Sequence, residues 1–273
     1  MKHTEWMTAI STPRTDYEFL KELSDNHIKG IELSVSEWDC GKIDWQGLKE
    51  NALKAGITLL SYHIPFGDRT DISVTDEDAR IKACETDKEL IKLAADIGIT
   101  RFVIHPSYEP IADEEREARM AQAKKSLAEL AEYADSLGAV ICVEDLPRSC
   151  LGHDVAEMLS LVSADDRLRV CFDVNHLLTV YNCTHRDFVQ ALGDKIVTCH
   201  MSDYDFVDEK HYFCGNGHIN WDELIGLLED VGYCGPFLYE GGFAPHRIFK
   251  DVPHGSIGEA YQRQMEIRSF KGR

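Results

Sequence analysis

The feature that most constrains this chain is an alternation of short, β-branched apolar runs with longer stretches of helical spacing, repeated eight times from end to end. The strand candidates are residues 7–10, 30–35, 58–63, 101–105, 140–144, 169–173, 196–200 and 237–240. From Ile10 to Glu240 the seven intervals average about 33 residues, close to the roughly 31 per unit of a 250-residue eightfold barrel. Strands alternating with helices imply parallel pairing and right-handed crossovers. Near-equal units favour closure, and no strand is followed by the glycine-rich phosphate loop that a doubly wound open sheet would carry. No linker, low-complexity tract or charge block interrupts the series, so the expectation is one α/β domain, a single (β/α)8 barrel spanning residues 1–273.

Punctuation between the strands supports this division. Asp113 opens a run in which Leu127, Leu130, Ala131, Ala134 and Leu137 share one helical face, and Gly138 closes it. In the preceding unit Thr75 is the expected N-cap, and Gly98 stands just past the end. With 44% hydrophobic residues, the chain can bury a core of the required size. A net charge of −19 argues against a surface that neutralises phosphate backbones, so nucleic acid is not the expected partner. Nine cysteines, an odd number without CxxC spacing, read as reduced thiols and a cytoplasmic protein, with Cys142, Cys171 and Cys199 serving as small packing residues. No apolar stretch approaches the length of a signal sequence or a membrane span.

What ends each strand carries the chemistry. His63, His105, Glu144, Asp173, His200 and Glu240 close six consecutive strands, and in an eightfold barrel those ends converge on one mouth. A carboxylate directly after ICV, VCF or FLY is expensive to bury unless it is paired or metal-bound. Glu144, Asp173, His200 and Glu240 therefore form the expected site for one divalent metal. Three carboxylates and an imidazole suit Mn²⁺ first, with Mg²⁺, Co²⁺ and Zn²⁺ also acceptable.

Glu144 in VEDL, Asp173 and His176 in FDVNH, His200 in HMSD, the segment GNGHINW and Glu240 in YEGG together resemble the xylose isomerase-like TIM barrels. That family includes ketose 3-epimerases, inosose isomerases and dehydratases, and endonuclease IV. The resemblance implies a metal-dependent sugar, sugar phosphate or polyol isomerase or epimerase, often a homodimer. Glu144 and Glu240 would be the acid/base pair as well as metal ligands, and His176 a substrate contact. The arrangement suits proton transfer beside a carbonyl: a cation stabilises the developing enediolate oxygen, and carboxylates on two faces remove and return the proton.

The endonuclease IV branch supplies an alternative, a multinuclear zinc phosphodiesterase, in which His63, His105, His176, Glu209 and His211 become additional metal ligands. The loop after His63, IPFGDRT, and the VN between Asp173 and His176 depart from that branch. In the sugar reading, His63, His105 and His211 are substrate contacts. Arg148 binds a substrate carboxylate or phosphate, or pairs with a rim acid such as Asp145. Glu32 either supports a ligand from behind or holds substrate hydroxyls. Trp38, Trp45 and Trp221 are candidates for stacking on a sugar, and Arg247 for a phosphate. A non-catalytic sugar-binding barrel is a third reading, disfavoured because both glutamates are present.

Overall fold

The computed structural model describes residues 3–241 and 255–268. Eight parallel strands close on themselves in sequence order: β1 (Thr8–Thr12), β2 (Gly30–Ser34), β3 (Thr58–His63), β4 (Arg101–Ile104), β5 (Val140–Glu144), β6 (Arg169–Asp173), β7 (Ile196–Met201) and β8 (Phe237–Tyr239). The ring is sealed by Thr8 to Ile10 of β1 lying beside Phe237 to Tyr239 of β8. One helix follows each strand: α1 (Tyr17–Asp25), α2 (Trp45–Ala55), α3 (Glu77–Asp96), α4 (Arg116–Ser136), α5 (Val155–Val162), α6 (His185–Leu192), α7 (Trp221–Asp230) and α8 (Ile257–Arg268). The chain is thus a (β/α)8 barrel, and the eight expected strands all form, with ends that move by at most two residues.

Side-chain alternation along each strand divides the core in two. Outward residues such as Ile31, Leu33, Tyr62, Phe102, Ile141, Val143, Phe172 and Tyr239 pack under the helices. Inside the barrel the residues are smaller, with Val103, Cys142 and Cys171 forming their own cluster. Ser61, Val103, Cys142, Cys171, Thr198 and Leu238 all have the inward parity and are buried. Two residues further along the same six strands stand His63, His105, Glu144, Asp173, His200 and Glu240. The period of two that places small residues inside the barrel therefore aims the ionisable ones into its mouth. Cys142, Cys171 and Cys199 are buried packing residues, and all nine thiols are free.

Helix boundaries depart from expectation at two points. Asp76, not Thr75, caps α3, its carboxylate accepting from Ala79 N at 2.8 Å. Asp113 opens only a single turn, its carbonyl accepting from Arg116 N, and α4 proper starts at Arg116. Gly98 and Gly138 end α3 and α4 with φ of 102° and 70°, as expected of residues that must turn the chain left-handed. Among the described residues no helix is long and apolar enough to cross a membrane.

Candidate active site

At the C-terminal end of the barrel lies a cavity of about 570 Å³. Its floor is built around His200, which is fully buried at the end of β7. His200 Nδ1 faces carboxylate oxygens of Glu144 at 2.8 Å, Glu240 at 2.9 Å and Asp173 at 3.7 Å, while Nε2 lies 2.9 Å from Glu32 Oε1. One oxygen from each carboxylate and one nitrogen of His200 fall within 4.8 Å of one another. Asp173 is fully buried, and its Oδ2 has no hydrogen-bond partner. An unpaired carboxylate oxygen that also faces an imidazole is where a hard cation would bind.

Glu144 is shared between two groups. Oε1 meets His200, and Oε2 meets His63 Nε2 at 2.9 Å and His105 Nε2 at 3.1 Å. Burial alone would raise the Glu144 pKa, but the neighbouring His200 and His105 hold it well below the usual carboxylate range. Burial would likewise lower the pKa of His63, yet its hydrogen bond to Glu144 pushes it up to about 9. His105 is lowered because burial outweighs its contact with the same carboxylate. The His63 ring is fixed from behind by its Nδ1 against the Ile64 carbonyl at 3.0 Å.

A third group faces these across the mouth. His176 Nδ1 donates to the Asp145 carbonyl at 2.7 Å, so Nε2 is turned inward, 3.5 Å from Asp173 Oδ2 and 3.9 Å from Glu209 Oε1. His211 Nε2 lies 2.9 Å from the same Glu209 oxygen. Burial opposes the charge on His211, but Glu209 raises its pKa to about 9. The long loop from β7 to α7 that carries Glu209 and His211 is organised by Asp203, whose carboxylate accepts from Gly215 N, Ile219 N and Trp221 Nε1. Gly217 is required there, because a Cβ would collide with Asp203 Oδ1 and the backbone of Tyr204.

The sequence of residues 20–255 matches the xylose isomerase-like TIM barrel family. The chain belongs to that family. Among its relatives is L-ribulose-5-phosphate 3-epimerase UlaE of Escherichia coli O157:H7, 24% identical over 221 residues that cover 77% of this chain and 76% of that enzyme. A second relative, uncharacterized protein MJ1311 of Methanocaldococcus jannaschii, is 29% identical over 184 residues, covering 65% of this chain and 62% of that protein. Among solved structures, a D-tagatose 3-epimerase-like protein superposes with a TM-score of 0.79 at 20% identity over 96% of both chains. D-psicose 3-epimerase in the presence of D-fructose gives 0.76 at 16% identity, again over 96% of both.

In this xylose isomerase-like barrel the fold brings together ten of the eleven candidate residues at the cavity: His63, His105, Glu144, Arg148, His176, Glu209, His211 and Glu240 line it, and Asp173 and His200 lie directly beneath. Glu32 does not line it. It is fully buried below His200, with Oε2 accepting from Ser61 at 2.7 Å, so of its two expected positions it takes the one behind His200, away from the cavity. Arg148 does not pair with Asp145, which is buried and accepts from Asp173 N. Its guanidinium instead contacts Glu109 at 2.7 Å and Asp208 and Glu209 at 3.0 Å, tying together the loops after β4, β5 and β7. Arg148 and His211 have φ of 55° and 50°, a left-handed conformation that side chains other than glycine adopt at a cost. The tryptophans do not line the cavity: Trp38 is exposed under Arg69, Trp45 packs edge-on against Tyr62, and Trp221 bonds Asp203. Among the described residues Phe66 and Tyr108 are the Phe and Tyr side chains that do, each three residues past a strand-ending histidine, His63 and His105. Arg247 lies outside the described residues.

Proposed function

We propose that this chain is a divalent-metal-dependent sugar epimerase or isomerase that moves a proton on and off the carbon beside a carbonyl. The observation that carries the reading is the convergence of Glu144, Asp173 and Glu240 oxygens on His200 Nδ1 at the floor of the cavity. Those four residues would hold the ion, with Mn²⁺ the first candidate and Mg²⁺, Co²⁺ and Zn²⁺ the alternatives. When bound, the ion supplies stabilisation for negative charge developing on a substrate oxygen. The chain's own groups do the remainder. Glu240, at 21% the most exposed of the three carboxylates, takes a proton from one face of the carbon. Glu144 serves the other face. His176 and His211 bind substrate hydroxyls, with His63 and His105 doing the same on the opposite wall. Phe66, Tyr108 and Leu146 give that wall an apolar surface that excludes water. The 3-epimerase relatives support a ketose or ketose phosphate as substrate, and the free thiols fit a cytoplasmic enzyme.

The test is metal analysis of the purified protein followed by a panel of ketoses, ketose 5-phosphates and inososes, assayed with wild type, Glu144→Gln and Glu240→Gln. One metal per chain, and turnover that both variants lose, is the expected result. A variant that keeps a near-normal rate would remove its glutamate from the acid/base role.

A multinuclear site is the second reading. It is favoured by two further groups of ligand-type residues within the same reach, His63 with Glu144 and His200, and Asp173 with His176 and His211. Two or three zinc ions per chain, with cleavage of abasic DNA or simple phosphodiesters, would replace the first reading with this one.

A further inference from the structure

The buried face of α3 is spaced at three and four residues: Arg80, Ala83, Cys84, Asp87, Leu90, Ile91 and Ala94. Asp87 therefore sits mid-stripe, where an aliphatic side chain would pack more cheaply. It is fully buried, and neither carboxylate oxygen has a hydrogen-bond partner. Leaving two such atoms unsatisfied in a core is unfavourable, so a partner is called for.

Asp87 opens on a cavity of about 10 Å³ between α3 and the loops after β3 and β4, separate from the large one. That is room for a single water molecule. Of the polar groups in its wall, Asp71 is already satisfied by Ser73 and by Arg119 at 2.6 Å, Ser107 accepts from Leu151 N, and the Thr70 hydroxyl donates to the Gly67 carbonyl at 3.5 Å. His105 also lines it. The His105 ring is stacked on Phe66 with centroids 3.9 Å apart, and its Nε2 meets Glu144. Its Nδ1 makes no hydrogen bond to a described residue. Stacking fixes the plane of the ring but not which edge faces Glu144. A hydrogen bond at Nδ1 would fix that as well.

We propose that this cavity holds one ordered water joining Asp87 to Nδ1 of His105, making Asp87 the positioning residue for that imidazole. Burial pushes the Asp87 pKa well above the usual carboxylate range and so favours the protonated acid, a group that both donates and accepts. The water completes the hydrogen bonding of both residues and holds His105 Nε2 on Glu144 without a direct contact between Asp87 and the mouth. The inference concerns the orientation of His105 and stands whether the site epimerises sugars or not.

The experiment combines a high-resolution crystal structure of the wild type with imidazole ¹⁵N spectra of the metal-free protein, His105 being assigned by its absence in His105→Gln. The structure should show one water within hydrogen-bond distance of Asp87 and His105 Nδ1. Asp87→Leu fills the cavity and should change the His105 tautomer ratio by about tenfold, the worth of one hydrogen bond. Asp87→Asn keeps a donor and an acceptor in place and should leave the ratio near that of the wild type. A dry cavity, a water touching only Asp87, or a His105 spectrum unchanged in Asp87→Leu would each overturn the proposal. If Asp87→Leu fails to fold, the wild-type structure decides alone.

Discussion

Stripped of divalent ions, the protein should be most stable in mildly acid solution and should lose stability as the pH rises from about 6.5 to about 9. One cause is His63, fully enclosed against Glu144; His211, raised to about 9 by Glu209, acts with the same sign. Burial works against the charge on His63, but the Glu144 carboxylate raises its pKa from 6.5 to about 9. A group whose pKa rises on folding contributes its stability in full below the unfolded value and loses it as the pH climbs through the folded one. A gap of about 2.5 units corresponds to about 3 kcal/mol, which for a chain of this size is a Tm change of about 6–12 °C. Glu144 has the opposite sign: its pKa is held below 4.5, so its contribution is present above 4.5 and disappears in acid. For His63 and Glu144 together the contribution is therefore complete between about pH 4.5 and 6.5. A divalent ion must displace protons from the imidazoles it binds, so adding one should move the optimum to higher pH. Calorimetry in chelator from about pH 5 to 9.5 measures this, with His63→Gln expected to reduce the slope and His211 to supply part of what remains. A profile without slope in the wild type, or an equal slope in the variant, would refute the assignment of charge to His63.

Three other outcomes are expected. Glu240→Gln should lower turnover by at least about 100-fold while Tm in chelator stays close to that of the wild type, measured by steady-state assay on whichever ketose is active and by calorimetry. Arg148→Met should raise KM more than it lowers kcat, because it unties three mouth loops without touching the carboxylates of the floor; a selective loss of kcat would place Arg148 in the chemistry instead. Gly217→Ala should loosen the loop after β7, read as faster proteolytic cleavage between residues 203 and 221 and a stability lower by about 1–3 kcal/mol.

Most of the barrel was legible because its two periodicities do not compete. The apolar runs of β5 and β6 each end in a carboxylate, so the strand ends named Glu144 and Asp173 directly. The helix starts were less legible because capping is decided by single hydrogen bonds: Thr75 and Asp76 are adjacent capping types, and only the Asp76 carboxylate reaches Ala79 N. At the site, residue type at a strand end predicted convergence but not depth. Glu32 has the same parity as His200 and stops short of the cavity, since β2 places it beside Ser61, in the layer below the mouth. Partners of Arg148 were illegible for another reason. They come from loops 39 and 60 residues away, and nothing local in EDLPRS specifies which of the many acids in the chain will face it. Asp87 was missed because it lies in a run of charges, KACETDKEL, that reads as a solvated helix face.

The geometry of Glu144 couples the two walls of the mouth, and this decides how the one-metal and many-metal readings exclude each other. Its two oxygens are both committed, Oε1 to His200 and Oε2 to His63 and His105. A cation held by Glu144, Asp173, His200 and Glu240 would add positive charge beside Oε1 and favour a neutral His63; with Nδ1 donating to the Ile64 carbonyl, Nε2 would then carry a lone pair that no longer bonds Oε2. That nitrogen can then accept from a substrate hydroxyl or bind a second cation, but it cannot do both. Filling the floor thus leaves His63 and His105 open to one role. Titrating zinc against the metal-free protein should separate the cases: a single equivalent that leaves the His63 resonance titratable belongs to the sugar site, whereas a second equivalent that fixes it belongs to the phosphodiesterase arrangement.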